Sequence, residues 1–248
     1  MREFGLIGFP LGHSFSKRYF TDKFENLGID ALYQNFETEN VNEILSIVST
    51  HPNLEGFNVT IPHKKAIIPF LTKITPEAEA IGAVNCVKII RTQDRYELIG
   101  HNTDVVGFEG SLRCFLGEAS PKKALVLGNG GAAKAVRYVL KKMGISYLTV
   151  SRNPQGENEI GYDHLPSIIE DHKLIVNTTP LGTWPNIETS PNIPYEMLTT
   201  DHFLFDLVYN PEVTKFMSQG KNVGTNVCNG HQMLVLQAEA GWKIWNEK

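Results

Sequence analysis

Apolar positions in the first hundred residues switch repeatedly between alternation and helical spacing, which predicts strands and helices in turn. Phe4 to Gly8 reads as a short strand, and Tyr19, Phe20, Phe24 and Leu27 give a helical face over Lys17 to Leu27, closed by Gly28. A strand over Ala31 to Phe36, a helix over Val41 to Val48 and a strand over Gly56 to Thr60 follow. After a turn marked by Pro62 come a helix near Lys65 to Leu71 and strands near Ala83 to Ile90 and Tyr96 to Ile99. The pattern is α/β.

A second alternating series begins after Asp104. It predicts a helix over Val105 to Leu116, a strand over Lys123 to Leu127 and a helix from about Gly131 to Met143. Strands are expected at Tyr147 to Val150, Lys173 to Val176 and Phe203 to Val208, with a Pro-, Asn- and Thr-rich loop over Thr183 to Pro194. Strand–helix alternation of this length implies a parallel sheet with crossover helices. From about Gly230 to Trp245, Met233, Leu234, Leu236, Gln237, Ala240 and Trp242 share a broad helical face. Periodicity alone leaves open which of the two series this last helix joins.

Composition narrows the function classes. Of the 248 residues, 42% are hydrophobic and 20% charged, an ordinary soluble balance, and a net charge of −4 gives a nucleic-acid partner no electrostatic support. No apolar run approaches the roughly 20 residues that span a bilayer. Met1 to Gly8 is expected to be a first strand rather than a secretory leader. Cys86, Cys114 and Cys228 are odd in number and widely spaced, which suggests neither a disulfide framework nor a zinc site and points to the cytosol.

One stretch carries a specific chemical expectation. Leu125 to Leu127 is an apolar strand running into Gly128-Asn129-Gly130-Gly131-Ala132-Ala133 at a helix start. Gly128 allows a tight turn, Gly130 lets backbone approach a pyrophosphate, and Ala133 lets helix and strand pack closely. The amides of the helix N-terminus then hold phosphate. An NAD site usually places Asp or Glu at the end of the next strand; here Val150 is followed by Ser151, Arg152 and Asn153. Arg152 is suited to grip a 2′-phosphate, which points to NADP, although a strand-end arginine is also a common solvated charge.

Four further segments put small polar and charged groups at strand ends: Gly12 to Ser16, Asn58 to Lys64, Gly82 to Asn85 and Gly100 to Asp104. Each has a plain structural alternative. Ser14 or Ser16 caps the following helix, Asn58 and Asn85 serve turns, Lys64 is a solvated lysine, and Asp104 caps the helix at Val105. His13 and His63 do not amount to a metal site.

Taken together these segments resemble the shikimate dehydrogenase family. The resemblance is carried by Ser14 and Ser16, NVTIPHK ending at Lys64, GAVN ending at Asn85, and GHNTD ending at Asp104. It continues through GNGGAAKA (Gly128 to Ala135), Ser151-Arg152, NTTPLG (Asn177 to Gly182), DLVYNP (Asp206 to Pro211) and MLVLQA (Met233 to Ala238). These occur in family order over nearly the whole chain.

The resemblance implies an N-terminal α/β substrate domain over residues 1–104, rejoined by a C-terminal helix over 229–248, and a Rossmann-like NADP-binding domain over 105–228. It places the active site in the cleft between them. It implies a reversible NADPH-dependent reduction of 3-dehydroshikimate to shikimate, on the route to chorismate and the aromatic amino acids. Lys64 and Asp104 match the catalytic groups. Ser14, Ser16, Thr60, Asn85, Asp104, Tyr209 and Gln237 match substrate contacts. Gly128, Asn129, Gly130, Gly131, Ala132, Ser151, Arg152, Leu207 and Gly230 match cofactor positions. No metal, membrane or nucleic-acid partner is implied, and the enzyme is expected in the cytoplasm as a monomer or homodimer.

Two positions depart from the family pattern. Lys17 stands where proline commonly follows Ser-x-Ser, and Pro154, followed by Gln155, stands where NADP-using relatives carry a second basic residue. Two rival expectations follow: a quinate/shikimate dehydrogenase using NAD, and a ligand-sensing relative without catalysis.

Overall fold

The computed structural model describes residues 1–12, 14–93 and 95–247. The chain divides into two compact units, Met1–Thr103 with Ala238–Lys248, and Asp104–Gln237.

The first unit runs β1 (Arg2–Gly8), α1 (Phe15–Leu27), β2 (Ala31–Glu37), α2 (Glu43–Thr50), β3 (Leu54–Val59), α3 (His63–Ala66), β4 (Lys73–Ile74), α4 (Pro76–Ile81), β5 (Cys86–Arg91) and β6 (Tyr96–His101). Its sheet has the order β2-β1-β3-β5-β6-β4. β1 is parallel to β2 and β3, whereas β5 is antiparallel to both of its neighbours. Asn58 near the end of β3 faces Cys86 at the start of β5, and Cys86 faces His101 at the end of β6. Segments 60–64, 82–85 and 102–103 therefore emerge along one edge of the sheet.

Helix α1 buries Phe20 and Phe24, four residues apart and hence on one face. They join Phe4, Tyr33 and Trp245 in an aromatic cluster in which Phe20 stacks on Tyr33 at 4.7 Å. Gly56 presses against the Trp245 ring, whose Nε1 donates to Val87 O at 3.0 Å. Each fully buried aromatic of this kind contributes about 1.5–3 kcal/mol. Ile7, Ile44, Phe57, Val59 and Leu98 belong to a second buried cluster in the same unit.

The second unit runs α5 (Asp104–Leu116), β7 (Lys123–Leu127), α6 (Gly131–Lys142), β8 (Ser146–Val150), β9 (Glu159–Ile160), β10 (Leu174–Asn177), β11 (Phe203–Asp206), α7 (Lys215–Asn222), β12 (Asn226–Cys228) and the start of α8 (His231–Asn246). The remainder of α8, from Ala238, belongs to the first unit. The sheet order is β12-β11-β10-β7-β8-β9, and every pairing is parallel. All six strands thus end on one edge, and the order reverses between β7 and β10, the switch point where doubly wound sheets bind dinucleotides.

Several elements go beyond the sequence-based expectation. α4 and α7 are short, with Thr75 and Thr214 as N-caps accepting from Ala78 N and Met217 N. Their brevity leaves too few apolar positions to register a period. β4 and β9 have two residues each and exist only through pairing with β6 and β8. The helix expected near Lys65 to Leu71 is divided into α3 and a 3₁₀ turn at Ile68–Phe70, where Pro69 cannot continue an α-helical ladder.

Candidate active site

In the first unit a chain of hydrogen bonds crosses the strand ends. The Tyr33 hydroxyl, beside the Ser16 side chain, donates to Asn58 Oδ1 at 2.8 Å; burial holds this phenol well above its ordinary pKa. Asn58 Nδ2 donates to Asn85 O at 3.3 Å. Asn85 Oδ1 accepts from Thr103 N at 2.6 Å, and Asn85 Nδ2 donates to Thr103 Oγ1 at 3.1 Å. Tyr33, Asn58, Asn85 and Thr103 are buried, so these bonds replace lost solvation rather than decorate a surface.

This chain positions the expected groups. Val84 N donates to Lys64 O at 2.7 Å, tying the short α3 to the segment that ends at Asn85. On the other side Asn85 grips Thr103, which directly precedes Asp104. Asp104 is the first residue of α5 rather than its cap, and it is buried. Thr60 N donates to Ile7 O at 2.9 Å, which fixes the residue beside the end of β1. Ser14 caps α1 by accepting from Lys17 N at 3.1 Å, so its structural alternative is realised. His63 is buried with Nε2 on Thr38 O at 2.7 Å, a packing role, and His13 lies outside the described residues. Lys64 is half-buried.

In the second unit the Gly128 to Gly131 turn lies at the switch point. Gly128 has φ +100° and donates from N to Val150 O at 2.8 Å. A Cβ there would come within 2.9 Å of Thr179 Cγ2 and 3.0 Å of Thr178 Oγ1, so glycine is required twice over. Gly130 caps α6, and an added Cβ at Gly130 or Gly131 would meet no heavy atom within 4 Å. Ala133 is fully buried. The first turn of α6 therefore offers amides to open space, which fits a pyrophosphate. Asn129 and Arg152 are exposed, Ala132 and Ser151 are half-buried, and Ser151 Oγ is buried with no hydrogen-bond partner among the described residues.

Leu207 and Gly230 come together directly. Gly230 N donates to Val208 O at 3.1 Å, and any side chain at 230 would strike the Leu207 backbone. Tyr209 is 36% exposed. Gln237, buried on α8, lies against Gly107 of α5, one turn beyond Asp104.

This edge is braced by two residues that the motifs contain but to which the sequence assigns no role. Asn177 and Asp206, both fully buried, end β10 and β11. Asn177 Nδ2 donates to Asp206 Oδ1 at 2.9 Å, and its Oδ1 accepts from Thr179 N at 3.0 Å and Thr179 Oγ1 at 2.6 Å. Asp206 also accepts from Val208 N at 3.0 Å and Thr214 Oγ1 at 2.6 Å. The signal was there to use: each ends an apolar strand with a side chain that burial obliges to find partners.

Residues 6–87 match the family described as the shikimate dehydrogenase substrate binding domain. The NADP(+) shikimate dehydrogenase of Methanococcus maripaludis is 36% identical over 97% of this chain and 90% of that one. The crystal structure of the shikimate 5-dehydrogenase of Thermus thermophilus with NADP(H) and shikimate has a TM-score of 0.85 at 30% identity, covering 99% of this chain and 94% of that one. The quinate dehydrogenase of Corynebacterium glutamicum in complex with NAD has a TM-score of 0.88 at 25% identity, covering 99% and 93%. Similarity of this identity and coverage, spanning both units and the motifs within them, establishes that the chain belongs to the shikimate dehydrogenase family.

Proposed function

We propose that this chain is an NADP-dependent shikimate dehydrogenase, interconverting 3-dehydroshikimate and shikimate. The observation that carries the reading is the placement of Val84 and Asn85. One holds the turn bearing Lys64, at 2.7 Å, and the other holds the residue before Asp104, at 2.6 Å.

The reaction moves a hydride between carbon and coenzyme while the attached oxygen exchanges a proton. NADP supplies the hydride chemistry when bound, and the protein supplies orientation and acid–base groups. Lys64, as an ammonium, stabilises charge building on the reacting oxygen and delivers or accepts its proton. Asp104 shares that work and hydrogen-bonds the neighbouring ring hydroxyl. Ser14 and Ser16 bind the substrate carboxylate, and Thr60, Asn85, Tyr209 and Gln237 bind ring hydroxyls. The Gly128 to Ala132 turn holds the pyrophosphate, Ser151 and Arg152 the adenosine 2′-phosphate, and Leu207 and Gly230 flank the nicotinamide.

In this reading the first unit binds the hydroxy acid and the second the dinucleotide. The enzyme works in the cytoplasm, as a monomer or homodimer, on the route to aromatic amino acids. Among the described residues no helix is long and apolar enough to cross a membrane.

The test is a spectrophotometric assay crossing shikimate and quinate with NADP and NAD. Shikimate with NADP is expected to give the highest kcat/KM. Absence of any shikimate-dependent change in nicotinamide absorbance with either coenzyme overturns the proposal.

A further inference from the structure

The end of β8 lacks the carboxylate that an NAD-binding sheet usually presents there, and Arg152 follows instead. The fold supplies a carboxylate to the same edge from the neighbouring strand. Glu159 opens β9, opposite Thr149 of β8, one residue short of the β8 terminus. Its side chain reaches the glycine turn: Oε1 accepts from Asn129 Nδ2 at 2.5 Å. The other oxygen, Oε2, accepts from Gln155 N at 3.0 Å, and Glu159 N donates to Gly156 O at 3.0 Å. The segment after Arg152 thus folds back onto this one residue.

Asn129 is held from its other side by Arg137, whose Nη1 donates to Asn129 Oδ1 at 2.7 Å and to Thr149 Oγ1 at 3.4 Å. Arg137 is thereby engaged with neutral partners on α6's side of the turn. The charges bordering the end of β8 therefore include two cations, Arg137 beside the turn and Arg152 on the loop, and one anion on the adjoining strand, Glu159.

We propose that Glu159 is a specificity-determining residue for the coenzyme, acting against the 2′-phosphate. Its carboxylate repels a phosphate at the ribose 2′ position and accepts a hydrogen bond from a 2′-hydroxyl, as the strand-end acid of an NAD site does. Arg152 and Arg137 attract the phosphate, and Glu159 offsets part of that attraction. The chain therefore binds NADP with a narrower margin over NAD than its arginines alone would set. No sequence position two dozen residues past the glycines reveals this, because Glu159 arrives through strand pairing and not through the β8 terminus.

The inference rests on the dehydrogenase reading above, so the test measures binding without turnover. NADPH and NADH are titrated by nicotinamide fluorescence into the unaltered protein, Glu159→Gln and Glu159→Ala, at low and high salt. In Glu159→Gln the NADH-to-NADPH ratio of Kd values is expected to rise on the order of tenfold, mainly through tighter NADPH binding. High salt is expected to shrink that gain, because the repulsion is screened. A ratio that is unchanged or smaller in Glu159→Gln overturns the proposal. So does equal weakening of both coenzymes in Glu159→Ala beside an unmoved ratio in Glu159→Gln, which would leave Glu159 a purely structural anchor for Asn129 and Gln155. Failure of the unaltered protein to bind either dinucleotide would instead sink the dehydrogenase reading itself.

Discussion

Asn177 and Asp206 face each other across the ends of two parallel strands, with the amide of one donating to the carboxylate of the other at 2.9 Å and neither side chain reaching solvent. From this bond one branch runs through Thr179 to the strand-end segment that crowds Gly128, and another through Val208 to the segment beside Gly230. A single buried pair thus fixes both the phosphate turn and the Leu207 to Tyr209 segment.

Burial pushes the Asp206 carboxyl up from 3.8 to about 6, against the hydrogen bonds from Thr214, Val208 and Asn177, which favour the charged form. The unfolded chain releases this proton near 3.8 and the native protein holds it until about 6. Between those values the native state binds more protons, so the group's contribution to stability falls as pH rises through that window, by about 3 kcal/mol in all. Urea unfolding of the unaltered protein and Asp206→Asn at several pH values isolates the effect. The stability difference, unaltered minus variant, should decline between pH 4 and 6 and level off above. A flat difference would show that Asp206 titrates normally.

The glycine turn separates two roles that share a residue type. Gly128→Ala forces a side chain into positive φ and against Thr178 and Thr179, and is expected to cost about 1–3 kcal/mol of stability and most dinucleotide affinity. Gly131→Ala adds a methyl to open space in the first turn of α6. Its melting temperature should hold or rise, since alanine favours helix by about 1 kcal/mol, while coenzyme binding weakens because the methyl fills phosphate space. Equal thermal destabilisation of the two variants would contradict this division.

Gly230→Ala tests a different contact. The added methyl would meet the backbone of Leu207, which cannot yield as a flexible side chain does. The segment carrying Leu207 to Tyr209 must then shift. Turnover is expected to fall at least about tenfold, with the thermal midpoint lowered by several degrees. Wild-type kinetics from a folded Gly230→Ala protein would show that this close approach is not needed.

What could be read from the chain alone follows the range of each interaction. The β7–turn–α6 unit is contiguous, so the apolar strand, three small residues and amphipathic helix were legible in one window. Ser14 as a cap and Gly28 as a helix stop are equally local. The chain from Tyr33 through Asn58 and Asn85 to Thr103 was not, since its partners lie 18 to 27 residues apart and meet only once β2, β1, β3, β5 and β6 are registered. Tyr33 and Glu159 belong to no local motif that would mark them in the sequence. β9 is two residues long and carries no periodic signal, so the carboxylate it delivers to Asn129 was out of sight. The family motifs include Asn58, Asn85 and Thr103, and the hydrogen bonds show what these side chains hold together in the fold.

Lys64 carries the strongest kinetic expectation. A group that works on the reacting oxygen contributes mainly where charge develops, so Lys64→Ala should lower kcat by about 10²- to 10⁴-fold while shifting the KM for shikimate little. Asp104→Asn should lower kcat as well. If the two residues serve one proton transfer, the double variant will fall no further than the worse single one, because a group whose partner is gone has little left to lose. If they act separately, the losses will multiply. Val84 and Asn85 add a structural control. Asn85→Ala removes the side chain that holds Thr103 and leaves the Val84-to-Lys64 backbone bond intact. In kcat it should therefore impair the Asp104 contribution more than the Lys64 contribution, costing little further beside Asp104→Asn and more beside Lys64→Ala, while the loss of its own ring-hydroxyl contact raises KM in every background. Near wild-type turnover in Lys64→Ala would remove the lysine from the mechanism regardless of how the double variants behave.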